Sequence, residues 1–253
     1  MKIIIITQDS PFYLYEALGY FIKSLPKNHS IIACITPPPS PFGKRNNFVN
    51  KAIKTKKVFG LRFFLFYSLK FFKNKLTGKT VKRVLKQNNI PNPKFTGSLN
   101  SPENLKKIKK LQPDLLISIL GNEIFKKQLI QLAPKGCINV HSSLLPKYRG
   151  LLPTFWVLKN NELFTGVSVF YVDEGIDSGP IILQQKIAIN NMTHLELIKT
   201  TKKLGINLIL KSIDLIEKNN VNLIDNPDKN KSYYSFPTRS DVLEFKKAKK
   251  SFY

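Results

Sequence analysis

Four short runs of β-branched and aliphatic residues constrain the fold more than anything else in the chain. They are "KIIIIT" (2–7), "SIIACIT" (30–36), "PDLLISIL" (113–120) and "GCINVH" (136–141). Each is long enough for a strand and too short for a core helix. A continuous apolar run suits a strand buried on both faces, which is what helices on either side of a parallel sheet produce. The stretches between them carry helix signals. In "QDSPFYLYEALGYFIKSL" Ser10 is placed to cap a helix, with Pro11 at its first position; in "SPENLKKIKKLQ" Ser101 and Pro102 repeat the pattern. The β-α-β opening predicts an α/β domain with a mostly parallel sheet. "PPPSPFG" (37–43) reads as a rigid breaker. Gly19 is the only glycine between the first two strands, so the Gly-rich dinucleotide fingerprint is absent and no nicotinamide cofactor is expected.

Farther along, "PTFWVLKNNE" (153–162) reads as a helix, and "TGVSVFYV" (165–172) alternates as an antiparallel strand does. "DEGIDSG" is a turn into a partner strand, "PIILQQKIAI" (180–189). A long helix follows, with Thr193 and Glu196 at capping-box spacing. "YYSFPTRSDVLEFKKAKK" reads as an aromatic, proline-containing linker and a short basic helix. With 253 residues and 42% hydrophobic content, the expectation is one domain over 1–190 and a short helical tail over 191–253.

The charge is extreme and uneven. Lys and Arg number 41 against 16 Asp and Glu, formally +25, and no acid lies between Glu16 and Glu103. Such a field attracts nucleic acid, nucleotide-linked substrates or an acidic membrane leaflet. A general bias toward lysine competes as an explanation, but it does not remove acids from one segment. Within that segment "FGLRFFLFYSLKFFKNKL" sets Leu61, Phe64, Leu65, Leu69, Phe72 and Leu76 at helical spacing. The stripe suits a basic helix on a membrane surface or a helix covering the core with its basic rim in water; the second is the expectation. Arg62 and Lys70 interrupt the run, so a spanning helix is not expected. "MKIIIIT" is too short for a signal peptide, and Cys34 and Cys137 form no disulfide framework. A cytoplasmic setting is expected, at the inner membrane surface if the basic segment docks there.

Three scattered histidines and two distant cysteines give no metal-ligand spacing, and no metal is expected. His29 and His194 read as surface residues. His141 ends a parallel strand, where open α/β sheets place their ligands. Side chains alternate along a strand, so Asn139 and His141 face one point. An amide donor beside an acid/base group suits attack on a carbonyl. From spacing alone, a strand-end Asn and His are more often structural polar groups than catalytic ones. The turn at 173–177 offers a carboxylate to orient the imidazole, but Asp173, Glu174 and Asp177 all sit in it and spacing does not choose among them.

The stretch "INVHSSLLPKYRG…PTFWVLKNNELFTGVSVFYVDEGIDSGPIILQQKI" resembles the core signature of the folate-dependent formyltransferases. These act on methionyl-tRNA, glycinamide ribonucleotide or sugar nucleotides. The resemblance is nearly unbroken over 136–186 and reaches back more loosely through "PDLLISILGNEI". It implies a Rossmann-like formyltransferase domain that uses N10-formyltetrahydrofolate. It assigns the catalytic Asn, His and Asp to Asn139, His141 and Asp177. It implies a pterin site between the turn of Leu120, Gly121, Asn122 and Ile124 and the turn of Asp173 and Gly175. Ser143, Lys147, Tyr148 and Arg149 are then the candidates to meet the acceptor, with a purely structural loop as the alternative. The resemblance offers no clear counterpart for the 44–90 segment in the family core.

The resemblance leaves the acceptor amine open. An amino sugar, nucleotide-linked and destined for surface polysaccharide, is favoured because the residues after 190 are few for a further domain. Initiator methionyl-tRNA is the alternative, supported by the charge, and glycinamide ribonucleotide ranks third. A degenerate, non-enzymatic scaffold is the competing class, and three occupied catalytic positions argue against it. Self-association into a homodimer stays open.

Overall fold

The computed structural model describes residues 1–9, 12–37, 48–121 and 123–253, with Phe48 by its backbone alone. Its centre is a six-stranded sheet in the order β2-β1-β3-β4-β6-β7. β1 (Lys2–Thr7), β2 (Ser30–Ile35), β3 (Leu115–Ile119) and β4 (Cys137–His141) are parallel. β6 (Phe164–Tyr171) and β7 (Ile181–Ala188) add an antiparallel edge. The chain is therefore α/β with a mostly parallel sheet, as the apolar runs predict.

The unbroken isoleucines of β1 are divided by the strand's two-residue period. Ile3 and Ile5 enter one core cluster with Leu14, Leu18 and Phe21 of α1 (Leu14–Ser24) and Ile206, Ile209 and Ile213 of α8 (His194–Glu217). Ile4 and Ile6 enter a second cluster with Ile108 of α5 (Pro102–Lys110) and Leu129 of the single-turn α6 (Lys127–Ile130). Helices on both faces thus bury every residue of the run, and each fully buried isoleucine contributes about 2 kcal/mol. α8, placed after residue 190 by the sequence reading, is one wall of the main core.

The caps follow the chemistry of their residues. Ser101 accepts from the Asn104 amide, and Thr193 and Glu196 form the reciprocal capping box. Ser10 and Pro11 lie outside the described residues, as does 38–47 of the Pro-rich segment; α1 starts at Leu14 after Tyr13, with no side-chain cap.

Three expectations are corrected. The first concerns α3 (Leu61–Leu76), which follows α2 (Phe48–Phe59). Leu61, Leu65, Leu69, Phe72 and Leu76 point to solvent rather than to the core. The opposite face packs: Phe63 meets Phe252 edge-on, Phe66 stacks on Tyr253 and Tyr67 meets Phe12 edge-on. Periodicity found an apolar stripe, but this helix has two, and aromatic partners 55 to 189 residues away in sequence decided which one is covered. Second, His29 and His194 are buried, at 8% and 5% exposure. His29 lies 3.5 Å from Glu217, and burial lowers its pKa. His194 sits among Phe155, Phe245 and Phe252. Third, the segment read as a linker contains β8 (Tyr233–Tyr234), which pairs with β5 (Arg149–Gly150) in the basic loop. The remaining helices are α4 (Val81–Gln87), α7 (Pro153–Lys159) and α9 (Arg239–Lys247).

Candidate active site

β4 lies between β3 and the antiparallel β6, so its carboxyl end opens where the sheet changes direction. Asn139 and His141 project from one face of it. The Asn139 Oδ1 is buried without a hydrogen-bond partner among the described residues.

His141 is 6% exposed, and both its ring nitrogens face acceptors. Nε2 lies 2.7 Å from the Tyr148 carbonyl and Nδ1 lies 3.5 Å from Asp177 Oδ2. A carbonyl has no hydrogen to give, so Nε2 carries its proton in either charge state. Nδ1 is therefore the position that gains or loses a proton, and it looks onto the carboxylate. The Gly150 amide donates to the same Oδ2 at 2.8 Å. Asp177 Oδ1 enters no hydrogen bond among the described residues. Of the three acids in the turn, Asp177 is the one brought to His141. Asp173 instead accepts from the Gly175 amide and the Ser178 hydroxyl, and Glu174 accepts from the Lys127 amide at 3.3 Å.

That last bond places the 173–177 turn beside the segment after β3. There Leu120 and Ile124 are exposed, at 38% and 46%. Gly121 approaches Ser118 so closely that a Cβ would meet its hydroxyl. Asn122 lies outside the described residues.

The family described as formyl transferase matches residues 69–213. The chain belongs to the formyl transferase family. Its curated relatives include the methionyl-tRNA formyltransferase of Kosmotoga olearia, 36% identical over 172 residues, covering 67% of this chain and 54% of that one. The corresponding enzyme of Alkaliphilus oremlandii is 30% identical over 236 residues, 93% of this chain and 66% of its own. The chain spans about half the length of the curated relatives it matches. Solved structures share the fold at lower identity. An N-formyltransferase from Helicobacter canadensis, in complex with folinic acid and dTDP-3-aminofucose, superposes with a TM-score of 0.63 at 20% identity, covering 98% of this chain and 80% of that one. The phosphoribosylglycinamide formyltransferase of Bacillus halodurans gives 0.60 at 23%, covering 86% and 97%.

Within the candidate site the basic loop is divided. Arg149 is 3% exposed and turned inward: Nη1 donates to Asp228 at 2.7 Å, and Nη2 to the Asn226 carbonyl and Oδ1 at 2.9 Å each. Tyr148 is buried, donates its hydroxyl to Glu162 and stacks on Tyr234; burial, with Glu162 beside it, raises its pKa. Ser143 is fully buried and donates to the Lys147 carbonyl. All three are thus hydrogen-bonded within the protein. Lys147 alone of the four is exposed, beside a shallow depression formed with Leu144, Leu145, Pro146 and Asn230.

Sequence reasoning missed what holds the carboxylate. Asn226 Nδ2 donates to the carbonyls of Asp177 and Gly179 at 2.9 Å each. Asp177 has φ of +50°, a left-handed conformation that needs support in a residue with a side chain. Ser232 bonds the Tyr148 and Arg149 amides, and the Tyr234 carbonyl accepts from Leu151. Gly150, with φ of +95°, must be glycine because a Cβ would strike that carbonyl. Residues 224–235 thus strap the Asp177 turn and the basic loop together, and they lie beyond the family match at 213. "NPD" at 226–228 is legible as a turn, but nothing local in it names a partner near residue 177.

Proposed function

We propose that the protein transfers a formyl group from N10-formyltetrahydrofolate to the primary amine of a nucleotide-linked amino sugar. The observation that carries formyl transfer is the convergence of the Asn139 amide, His141 Nδ1 and the Asp177 carboxylate at one strand end. The folate supplies the formyl group, and the exposed apolar side chains of Leu120 and Ile124, in the segment beside the 173–177 turn, suit a flat pterin. The Asn139 side chain donates to the formyl oxygen as negative charge develops there. His141 Nδ1 and Asp177 receive the proton that the amine loses on bonding to the formyl carbon, and return a proton to the folate nitrogen as its bond to that carbon breaks. Nε2 stays on the Tyr148 carbonyl throughout and fixes the ring.

The acceptor rests on Lys147. An exposed cation beside a shallow depression suits the phosphates of a nucleotide, and the Helicobacter relative carries a dTDP-sugar by its description. Methionyl-tRNA is the second reading, favoured by the curated relatives and by the charge of +25. The test offers N10-formyltetrahydrofolate with dTDP- and UDP-amino sugars, glycinamide ribonucleotide and methionyl-tRNA, following folate turnover. Turnover with an amino-sugar nucleotide is expected. Robust turnover with charged tRNA alone moves the protein to the second reading, and no turnover with any amine removes the enzyme reading.

A further inference from the structure

The face of α3 that the core does not cover is both apolar and cationic. Leu61, Leu65, Leu69, Phe72 and Leu76 are 55%, 49%, 72%, 57% and 86% exposed. At 3.6 residues per turn they fall within about 80° of arc. Arg62 and Lys73 border one edge of this stripe and Lys75 the other. α2 adds exposed Val49 and Ile53, and no acid occurs anywhere from 17 to 102. Five large apolar side chains aligned on one exposed face exceed the scattered apolar exposure normal for a protein surface.

Charge complementarity narrows what covers this face. A second copy would set Arg62, Lys73 and Lys75 against themselves with no acid from either helix, and like charges so placed oppose association. Nucleic acid would meet the cations but leave the four leucines without a partner, since only Phe72 offers a ring for base stacking. An anionic lipid surface satisfies both halves: its headgroups take the Lys and Arg, and its acyl boundary takes the Leu and Phe. We propose that α3 docks the protein on an anionic lipid surface, with Leu61, Leu65, Leu69, Phe72 and Leu76 entering the acyl boundary.

The helix is built to be presented. Its inner face is held by Phe252, Tyr253 and Phe12, and Lys70 lies 3.9 Å over the Tyr13 ring. No folding on the membrane is required, which spares the ordering cost an unfolded segment would bear. Phe12 and Tyr13 follow the carboxyl end of β1, the same end of the parallel sheet that carries His141 on β4. Docking through α3 would therefore keep the active-site end of the sheet near the lipid.

The experiment is co-sedimentation of the full chain with vesicles of phosphatidylcholine alone and of phosphatidylcholine mixed with phosphatidylglycerol. It needs neither folate nor amine, so its outcome is separate from that of formyl transfer. Wild type should bind the mixed vesicles and release in salt. Leu69→Ser/Phe72→Ser, which keeps every charge and alters only exposed positions, should bind at least about tenfold more weakly with unchanged melting temperature. Arg62→Gln/Lys73→Gln should also weaken binding, by several-fold. Absence of binding to mixed vesicles overturns the proposal. So does equal binding by Leu69→Ser/Phe72→Ser, which would mean adsorption by charge alone. Equal binding to pure phosphatidylcholine overturns the anionic requirement. A wild-type dimer that this variant converts to monomer would assign the face to a second copy instead.

Discussion

His141 and His194 are buried to nearly the same degree, 6% and 5% exposed, yet they are built for opposite ends. His141 has an acceptor at each ring nitrogen, the Tyr148 carbonyl and the Asp177 carboxylate. Among the described residues the His194 ring has one hydrogen-bond partner, the Thr154 hydroxyl at 3.1 Å, and its Nδ1 is buried with none; rings of Phe155, Phe245 and Phe252 surround it. Burial lowers the pKa of His194 to about 4. Depth therefore does not distinguish a candidate reacting histidine from a packed one. Distinction comes from where the ring's second proton would go: at His141 it meets a carboxylate, at His194 it meets hydrocarbon.

The sharpest way to break this contrast is to remove the imidazoles in turn. His141→Ala should lower turnover by about 10²–10⁴-fold, the range for losing a positioned acid/base group, while the melting temperature holds within a few degrees. Asp177→Asn, nearly isosteric, should fall in the same range. Both are measured by folate turnover with the best amine of the panel. A similar collapse of turnover in folded His194→Gln would erase the distinction.

The second effect is on stability, and its sign follows from His194 alone. The unfolded chain takes up a proton near the ordinary 6.5, which the folded protein refuses until about 4. Between those values the unfolded state binds more protons, so stability is lost as pH falls through this window. At pH 5 the loss is about 2 kcal/mol. His29, also lowered by burial, adds in the same direction. Urea unfolding at pH 7.5 and pH 5 measures the loss, and His194→Gln should remove about 2 kcal/mol of it. If wild type and variant lose equal stability, His194 is not the neutral, packed group described here.

The same contrast shows what the sequence could carry. The sheet was legible because four apolar runs have only one economical burial, between two layers of helix. The Asn139–His141 pair was legible because strand alternation is local, and family resemblance chose Asp177 over Asp173 and Glu174 before the structure brought it to His141. What failed was everything decided by distant partners. His194 looked like a surface residue at a helix start until Phe245 and Phe252 closed over it. The wrong face of α3 was assigned to the core for the same reason. The strap over 224–235 gave no periodic signal at all, because β8 is two residues long and its partners lie some 80 residues upstream.

That strap supplies the smallest and most discriminating test. His194 is held by packing, whereas the His141 site is held by a chain of hydrogen bonds running from Arg149 through Asn226 to the Asp177 turn. Asn226 touches none of the candidate reacting atoms, so it is a positioning residue. Asn226→Ala removes both bonds to the Asp177 turn, each worth about 1 kcal/mol net, and leaves the Asp177 carbonyl and its left-handed backbone unsupported. The carboxylate should then sample positions away from Nδ1, and turnover should fall about tenfold. KM for the amine should move less than about twofold, because Lys147 and the depression beside it are untouched. The pH–rate profile should shift with it, since the group facing Nδ1 is no longer fixed. A merely structural asparagine predicts a different pattern: a lower melting temperature, with kcat per folded molecule and the pH profile both unchanged. Finding that pattern would confine the site to the strand end and the Asp turn, and would show that the residues beyond the family match only close the fold.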